Sequence, residues 1–106
     1  MTDVEINKAL VLAIGYSPLH FFIKNKEIQV LFYSELSNCC YWRTFSYKDP
    51  TVILRILIEN KINISYNTTR GAWCAWSPKT HGVIVNNDFY KAAALAMIEL
   101  AKEGNL

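Results

Sequence analysis

The stretch RGAWCAWSPKTHG concentrates the side chains of this sequence that could bind a ligand. Trp73 and Trp76 offer flat aromatic faces, and a nucleotide base can stack on such a face because every base has a π surface. Arg70, Lys79 and His81 flank the two tryptophans and could contact a phosphate. In the alternative, purely structural interpretation, Trp73 faces the core, Trp76 lies under a helix, and the charged groups are solvated turn residues.

Strand alternation narrows this hypothesis. On a regular strand, AWCAW places Trp73 and Ala75 on one face and Ala72, Cys74 and Trp76 on the other. The two tryptophans therefore cannot stack side by side. The remaining candidate is whichever tryptophan faces outward, together with the basic residues at the two ends of the strand.

A second candidate is the aromatic run FYSELSNCCYWRTFSY, which has more rings than one core face needs. These rings belong to Tyr33, Tyr41, Trp42, Phe45 and Tyr47. Protein interfaces favour Tyr, Trp and Arg, and the adjacent Trp42 and Arg43 have the composition of a binding hot spot. We expect Trp42, Arg43 and Tyr47 to contact a partner, although aromatic residues are also typical of ordinary strands.

Cysteine or metal chemistry is not supported by the spacing of the residues that could perform it. The candidates are Cys39, Cys40, Cys74, His20 and His81. They form no C-x-x-C or H-x-x-x-H pattern of the kind that holds zinc, and no sequence feature brings a base to a cysteine. A free cysteine in a strand is usually a small buried hydrophobic residue. We therefore expect no metal site.

Other catalytic patterns are also lacking. Asp49 and Asp88 both stand at expected helix starts, where N-capping explains them. The four glycines form no G-x-x-x-x-G-K-[ST] phosphate loop. An enzyme is therefore the least supported class, and no cofactor is expected.

Length and composition predict one globular domain over residues 1–106. The chain is 52% hydrophobic, with three Trp, six Tyr and five Phe, which is more apolar content than disordered chains have. A domain of this size cannot bury every large ring. Surface aromatics then indicate a partner, a ligand or a homodimer.

Charge and hydropathy limit the possible partners and the location. The 11 basic and nine acidic residues leave a net charge of +2 and form no basic run, so a nucleic-acid partner is unsupported. No segment approaches the roughly 20 apolar residues of a membrane span, and no signal peptide is visible. We expect a cytoplasmic protein with no membrane partner and with reduced thiols.

Three helices are predicted. A T-x-x-E capping box at Thr2 begins the first helix, at about residues 3–14. Asp49 caps a second helix over 50–60, whose buried stripe extends to Ile58. A third, alanine-rich helix over 88–102 is capped by Asn86 or Asn87.

Strands fill the remaining segments. HFFIKNKEIQVLFY predicts a hairpin that turns at KNKE, and CCYWRTFSY continues the alternating pattern. KINISYN and AWCAW predict a second hairpin, and VIV is a candidate for one more short strand that the predicted order does not include. Because short turns join antiparallel strands, we predict an α+β fold. It is a small layered sandwich, with a mostly antiparallel sheet of about 3–5 strands covered by three helices, in the order α-β-β-β-α-β-β-α.

The segments DVEINKALVLAIG, FSYKDPTVILRIL, W-x-A-W and KAAALAMIELA also occur in an order known from phage proteins. The chain resembles small bacteriophage proteins of the NinX-like and phage ABA-sandwich kind over most of Thr2 to Lys102. It departs from them at Val52 to Leu54 and in HFFIKNKEIQVLFYSELSNCC. The resemblance implies a phage or prophage origin and an α/β sandwich, and it brings no catalytic residues.

Three functions are compatible with the sequence. The first is a non-enzymatic phage accessory protein that binds a host or phage protein or a defence component. The second is a protein that binds or sequesters a small nucleotide-type ligand, and the third is a nucleic-acid-binding protein.

Overall fold

The computed structural model describes residues 1–80 and 82–103 and has the α+β class expected from the sequence. Its elements follow the order α-β-β-β-α-β-β-β-α, and all strand pairs are antiparallel. The chain comprises two compact units, one from Met1 to Ser46 and the other from Tyr47 onward. Among the described residues, no helix combines the length and apolar character needed to cross a bilayer.

The first unit begins with helix α1, Asp3–Ala13. The predicted capping box is confirmed: the Glu5 backbone N–H donates to Thr2 Oγ1 at 3.2 Å, and the Glu5 carboxylate accepts from the Thr2 backbone N–H at 3.4 Å. The helix ends at Ala13 with Ile14 as its C-cap, and the next residue, Gly15, has a φ of +102°, which glycine adopts at low cost. A short 3₁₀ helix, Pro18–His20, leads to the first strand.

Three strands complete this unit: β1 (Phe21–Lys24), β2 (Glu27–Ser34) and β3 (Cys39–Phe45), in the spatial order β1-β2-β3. The predicted hairpin turns at Asn25 and Lys26, both at positive φ, as a two-residue type I′ turn requires. Helix α1 packs against β2. The buried side chains of the unit are Ile6, Asn7, Leu10, Val11, Ile28, Val30 and Phe45.

The second unit contains helix α2 (Pro50–Glu59), strands β4 (Asn63–Asn67), β5 (Ala72–Trp76) and β6 (Ile84–Asn86), and helix α3 (Phe89–Lys102). Helix α3 packs against α2, β5 and β6. Its small side chains allow this close approach, because Ala92, Ala93 and Ala96 are all buried. The sheet order is β4-β5-β6, and β6 (Ile84–Asn86) is one strand more than the predicted order contains.

Of the two helix starts in this unit, one agrees with the sequence and one differs, and one side chain of α2 is exposed where burial was expected. Asp49 caps α2 as predicted and accepts from the Thr51 backbone N–H at 3.0 Å. Helix α3 is capped by Asp88 instead of an asparagine, and Asn86 accepts from the Asp88 backbone N–H at 2.9 Å. Ile58 was expected in the buried stripe of α2 but is 77% exposed.

The strands within residues 1–80 and 82–103 form two three-stranded sheets, whereas the sequence was interpreted as one sheet of about 3–5 strands. Each sheet contains only strands that follow one another along the chain. Short turns join β1 to β2, β2 to β3, and β4 to β5. Helix α2 separates the strands of the first sheet from those of the second along the chain. Every two strands that pair in either sheet are therefore consecutive in the sequence.

Candidate functional site

A group of apolar side chains, of which three are exposed and Leu31 is half-buried, lies on one side of the β1-β2-β3 sheet. We call Phe22, Leu31, Tyr33 and Trp42 the aromatic face. The register pairs Phe22 with Gln29 and Leu31 with Trp42. Because successive side chains point to opposite sides of a strand, these residues lie on the side opposite to the buried Ile28, Val30 and Phe45.

The rings of the aromatic face are held in place by their neighbours. Phe22 and Trp42 meet edge to face, with ring centroids 4.7 Å apart and an interplanar angle of 72°. The Tyr33 hydroxyl donates a hydrogen bond to Asn38 Oδ1 across the β2–β3 turn. Even so, Phe22, Trp42 and Tyr33 are 40%, 47% and 52% exposed. These contacts restrict the rotamers of Phe22, Trp42 and Tyr33, and such restriction lowers the entropic cost of binding.

The polar groups on the same side of the sheet carry no net charge. Gln29 Nε2 donates to Thr44 Oγ1 at 2.9 Å beside Trp42. Lys24 and Glu27 stand opposite each other at the hairpin end and have opposite charges. A surface without excess positive charge lacks the counterion-release term that drives binding to a nucleic-acid backbone. Within the three strands, this side of the sheet is therefore apolar with balanced charges.

Arg43 lies on the other side of the sheet from Trp42, so the two do not form one hot spot. The Arg43 guanidinium carbon lies 5.0 Å from the centroid of the Phe32 ring. Tyr41 contacts the same ring, with centroids 5.3 Å apart. Arg43 and Tyr41 thus form a separate exposed cluster around Phe32.

Tyr47 was expected at the surface with Trp42 and Arg43, but only 1% of it is exposed. The expectation rested on the number of aromatic rings in the run and did not assign each ring to a buried or an exposed side. Phe45, which lies two residues earlier in the same phase of the alternation, is also buried. The Lys48 ammonium lies 5.9 Å from the Tyr47 ring centroid. Tyr47 therefore offers no ring to a partner.

The two tryptophans of β5 have different environments. Trp73 is half-buried and lies between two other rings, with its centroid 5.2 Å from Tyr66 and 5.0 Å from Phe89 of α3. Trp76 points to the opposite side and is 37% exposed. Trp73 therefore packs a sheet against a helix, and Trp76 is the outward-facing tryptophan.

The basic residues expected around these tryptophans do not converge. Arg70 lies in the β4–β5 turn and Lys79 follows the other end of β5, and five strand residues span about 13 Å. His81 lies outside the described residues. The predicted group of Arg70, Trp73, Trp76 and Lys79 is thus dispersed over two faces and two ends of one strand.

Lys79 instead borders a cleft of about 430 Å³ in the second unit. The described lining residues are Glu59, Asn60, Lys61, Ser77, Pro78, Lys79 and Leu100. No aromatic ring is among these residues, so the cleft offers no stacking surface for a base. Its two lysines are accompanied by a glutamate, which offsets part of their charge.

The cysteines were expected to behave as small buried residues, but Cys39 and Cys40 are exposed and Cys74 is half-buried. The first two lie at the start of β3, beside the exposed β2–β3 turn, where no element covers them. Ser37 Oγ lies 3.2 Å from Cys39 Sγ. Within residues 1–80 and 82–103, no three His, Cys, Asp or Glu side chains come together where they could hold a metal ion.

Phe22 and Leu31 belong to the aromatic face but were not identified from the sequence as site residues. Both lie in segments that show only ordinary strand alternation. The available signal was the hairpin register, because pairing around the Asn25-Lys26 turn fixes Phe22 on the side of Gln29 and Leu31. A site formed by three strands becomes apparent only when the register of all three is known.

No protein-family model, curated protein or solved structure matches this chain.

Proposed function

We propose that this chain is a phage- or prophage-encoded accessory protein that acts without catalysis, by binding a host protein or a defence component. The aromatic face of Phe22, Leu31, Tyr33 and Trp42 is the binding surface. The partner presents an apolar protein surface of matching size. The location is the cytoplasm of the bacterial host.

The observation that carries this proposal is the edge-to-face pair of Phe22 and Trp42 on an exposed side of the sheet. Contiguous exposed apolar groups are uncommon on monomeric soluble proteins and typically mark interaction sites. Tryptophan and tyrosine at the centre of an interface often contribute about 2 kcal/mol or more each when they are truncated. The ordered rings and the neutral surroundings both favour a protein partner.

Two further observations support the cellular setting. The resemblance of the α1, α2 and α3 segments to small phage proteins motivates the phage origin. The exposed, unpaired Cys39 and Cys40 are compatible with a reducing compartment, where thiols stay reduced.

The test compares wild type with Trp42→Ala in affinity capture from bacterial lysate, followed by reconstitution from purified proteins. Trp76→Ala is the matched control, because Trp76 is also exposed but lies in the other sheet. We expect one protein to bind wild type and Trp76→Ala, and to bind Trp42→Ala at least about tenfold more weakly. Equal affinity of all three variants for every captured protein contradicts the proposal.

The two alternative functions lead to different expectations. A nucleotide-type ligand at about 100-fold over its Kd should stabilise the chain by about 2.7 kcal/mol. A nucleic-acid partner should bind with an affinity that decreases steeply with salt. A thermal-shift panel of nucleotides and a salt titration with DNA distinguish these functions from binding through the aromatic face.

A further inference from the structure

The outer edge of β3 differs from the other sheet edges of this chain. Within the described residues, β3 pairs with β2 alone, and six of its seven side chains are exposed. The other edge strands, β1, β4 and β6, have four, five and three residues. Strand β3 is therefore the longest edge available for pairing with another chain.

The sequence of β3 also lacks the usual protection of an edge. Natural edge strands avoid pairing by being short, or by carrying Pro, Lys or a bulge. Strand β1 is short and ends in Lys24. Strand β3, CCYWRTF, contains no proline and no lysine, and Arg43 is its only charged residue. An unprotected edge of this kind is available for strand addition.

We propose that β3 pairs with β3 of a second copy of this chain, as antiparallel strands related by a two-fold axis through the two Trp42 residues. The axis stands perpendicular to the sheet, so each side of one sheet continues into the same side of the other. Trp42 is the midpoint of Cys39–Phe45. Of the symmetric registers, this is the one in which all seven residues of each copy are paired.

The side chains brought together by this register are complementary. Trp42 faces Trp42 of the second copy, and Tyr41 faces Arg43 of the second copy, twice by symmetry. An arginine beside an aromatic ring is a favourable cation–π arrangement. A two-fold axis at Arg43 would instead oppose two like charges, which destabilises a strand pair. The single charge of the strand thus favours the register that also gives full overlap.

This association has a consequence for the aromatic face. The Trp42 side chains of the two copies become neighbours on one side of a six-stranded sheet, so that two aromatic faces form one continuous surface. The inference does not depend on the proposed function, because it is measured on the chain alone. Failure of either one leaves the other intact.

The first test is the solution mass of the full chain by sedimentation. We expect a species of 24.4 kDa, twice the 12.2 kDa chain, that dissociates on dilution. Tyr41→Lys places an ammonium opposite Arg43 of the second copy and should weaken association at least about tenfold. Adding Arg43→Glu to Tyr41→Lys restores opposite charges and should restore the dimer. Circular dichroism and urea unfolding establish that each variant is folded.

The second test fixes the register by disulfide trapping. In a chain carrying Cys39→Ser and Cys74→Ser, Thr44→Cys stands opposite Cys40 of the second copy, whereas the two positions lie about 13 Å apart within one chain. Mild oxidation should yield a covalent dimer, and Cys40→Ser should abolish it. If the chain is a monomer at every concentration and forms no cross-link, the proposal is overturned, and the β3 edge is then available only to a strand of another protein. A dimer that is unaffected by Tyr41→Lys also overturns it.

Discussion

The rings of Phe22 and Trp42 meet edge to face across the first sheet, on the side away from its buried residues. The two residues come from β1 and β3, with β2 between them. An aromatic pair in the core would contribute mainly to folding, whereas this pair leaves Phe22 40% and Trp42 47% exposed. The proposed binding role of this pair leads to predictions for stability as well as for binding.

Replacing Trp42 should cost little stability, in contrast to replacing Trp73. Trp42→Ala removes one exposed ring and its contact with Phe22, for which we expect at most about 1 kcal/mol. Trp73→Ala removes the ring between Tyr66 and Phe89 and should lower the free energy of unfolding by about 3 kcal/mol. Urea unfolding monitored by circular dichroism measures both values. A larger loss for Trp42→Ala than for Trp73→Ala would mean that the aromatic face is structural.

The start of α3 depends on one carboxylate. Asp88 accepts hydrogen bonds from the backbone N–H groups of Tyr90 and Lys91, at 2.9 Å and 3.1 Å. Asp88→Ala leaves these groups without that acceptor and should destabilise the chain by about 1–2 kcal/mol. Asp88→Asn keeps an acceptor oxygen and serves as the control, with a smaller expected loss. Thermal unfolding checks the order, and equal losses for both variants would contradict the capping role.

The end of α2 is strained at Lys61, which has a φ of +54°. Its N–H donates to Ile58 O and the Ile62 N–H donates to Leu57 O, as in a Schellman motif. Glycine adopts this conformation without a Cβ penalty, so Lys61→Gly should stabilise the chain by about 0.5–1 kcal/mol. Lys8→Gly, on the exposed face of α1, is the control and should destabilise by about 1 kcal/mol. Chemical unfolding measures both changes. A loss of stability in Lys61→Gly as well as in Lys8→Gly would rule out a strained conformation at Lys61.

A similar argument applies to the β1–β2 turn. Lys26 has a φ of +62° at the second position of the turn, where Asn-Gly is the preferred pair. Lys26→Gly should therefore raise the free energy of unfolding by about 0.5–1 kcal/mol. Lys24→Gly, two residues earlier in β1, should lower it because glycine weakens a strand. The opposite signs are measurable by urea titration, and destabilisation by Lys26→Gly would argue against a type I′ turn.

The sequence predicted the elements that depend on local interactions. The capping box at Thr2, the Asp49-Pro50 start of α2 and the hairpin around Asn25 are each encoded within a few residues, and all are present. The N-cap of α3 was assigned one or two residues early, because Asn86, Asn87 and Asp88 are all good capping residues. Only the geometry selects among three adjacent candidates.

The sequence could not predict what depends on contacts between distant segments. The division into two sheets is invisible to periodicity, since a strand of either sheet shows the same alternation. The number of rings in an aromatic run does not show which of them are buried, so the burial of Tyr47 was not predicted. The aromatic face requires the register of three strands, so Trp42 was identified while Phe22 and Leu31 were not.

Photo-crosslinking in bacterial cells tests the central claim most directly. A photoreactive phenylalanine analogue at Tyr33 lies on the aromatic face, and the same analogue at Tyr66 is an equally exposed control in the other sheet, because the two tyrosines are 52% and 51% exposed. We expect irradiation to join position 33 to one host or phage protein, and Trp42→Ala to abolish that adduct. Equal labelling from positions 33 and 66, or an adduct at position 33 that persists in Trp42→Ala, would contradict the claim that this chain acts by binding a protein through its aromatic face.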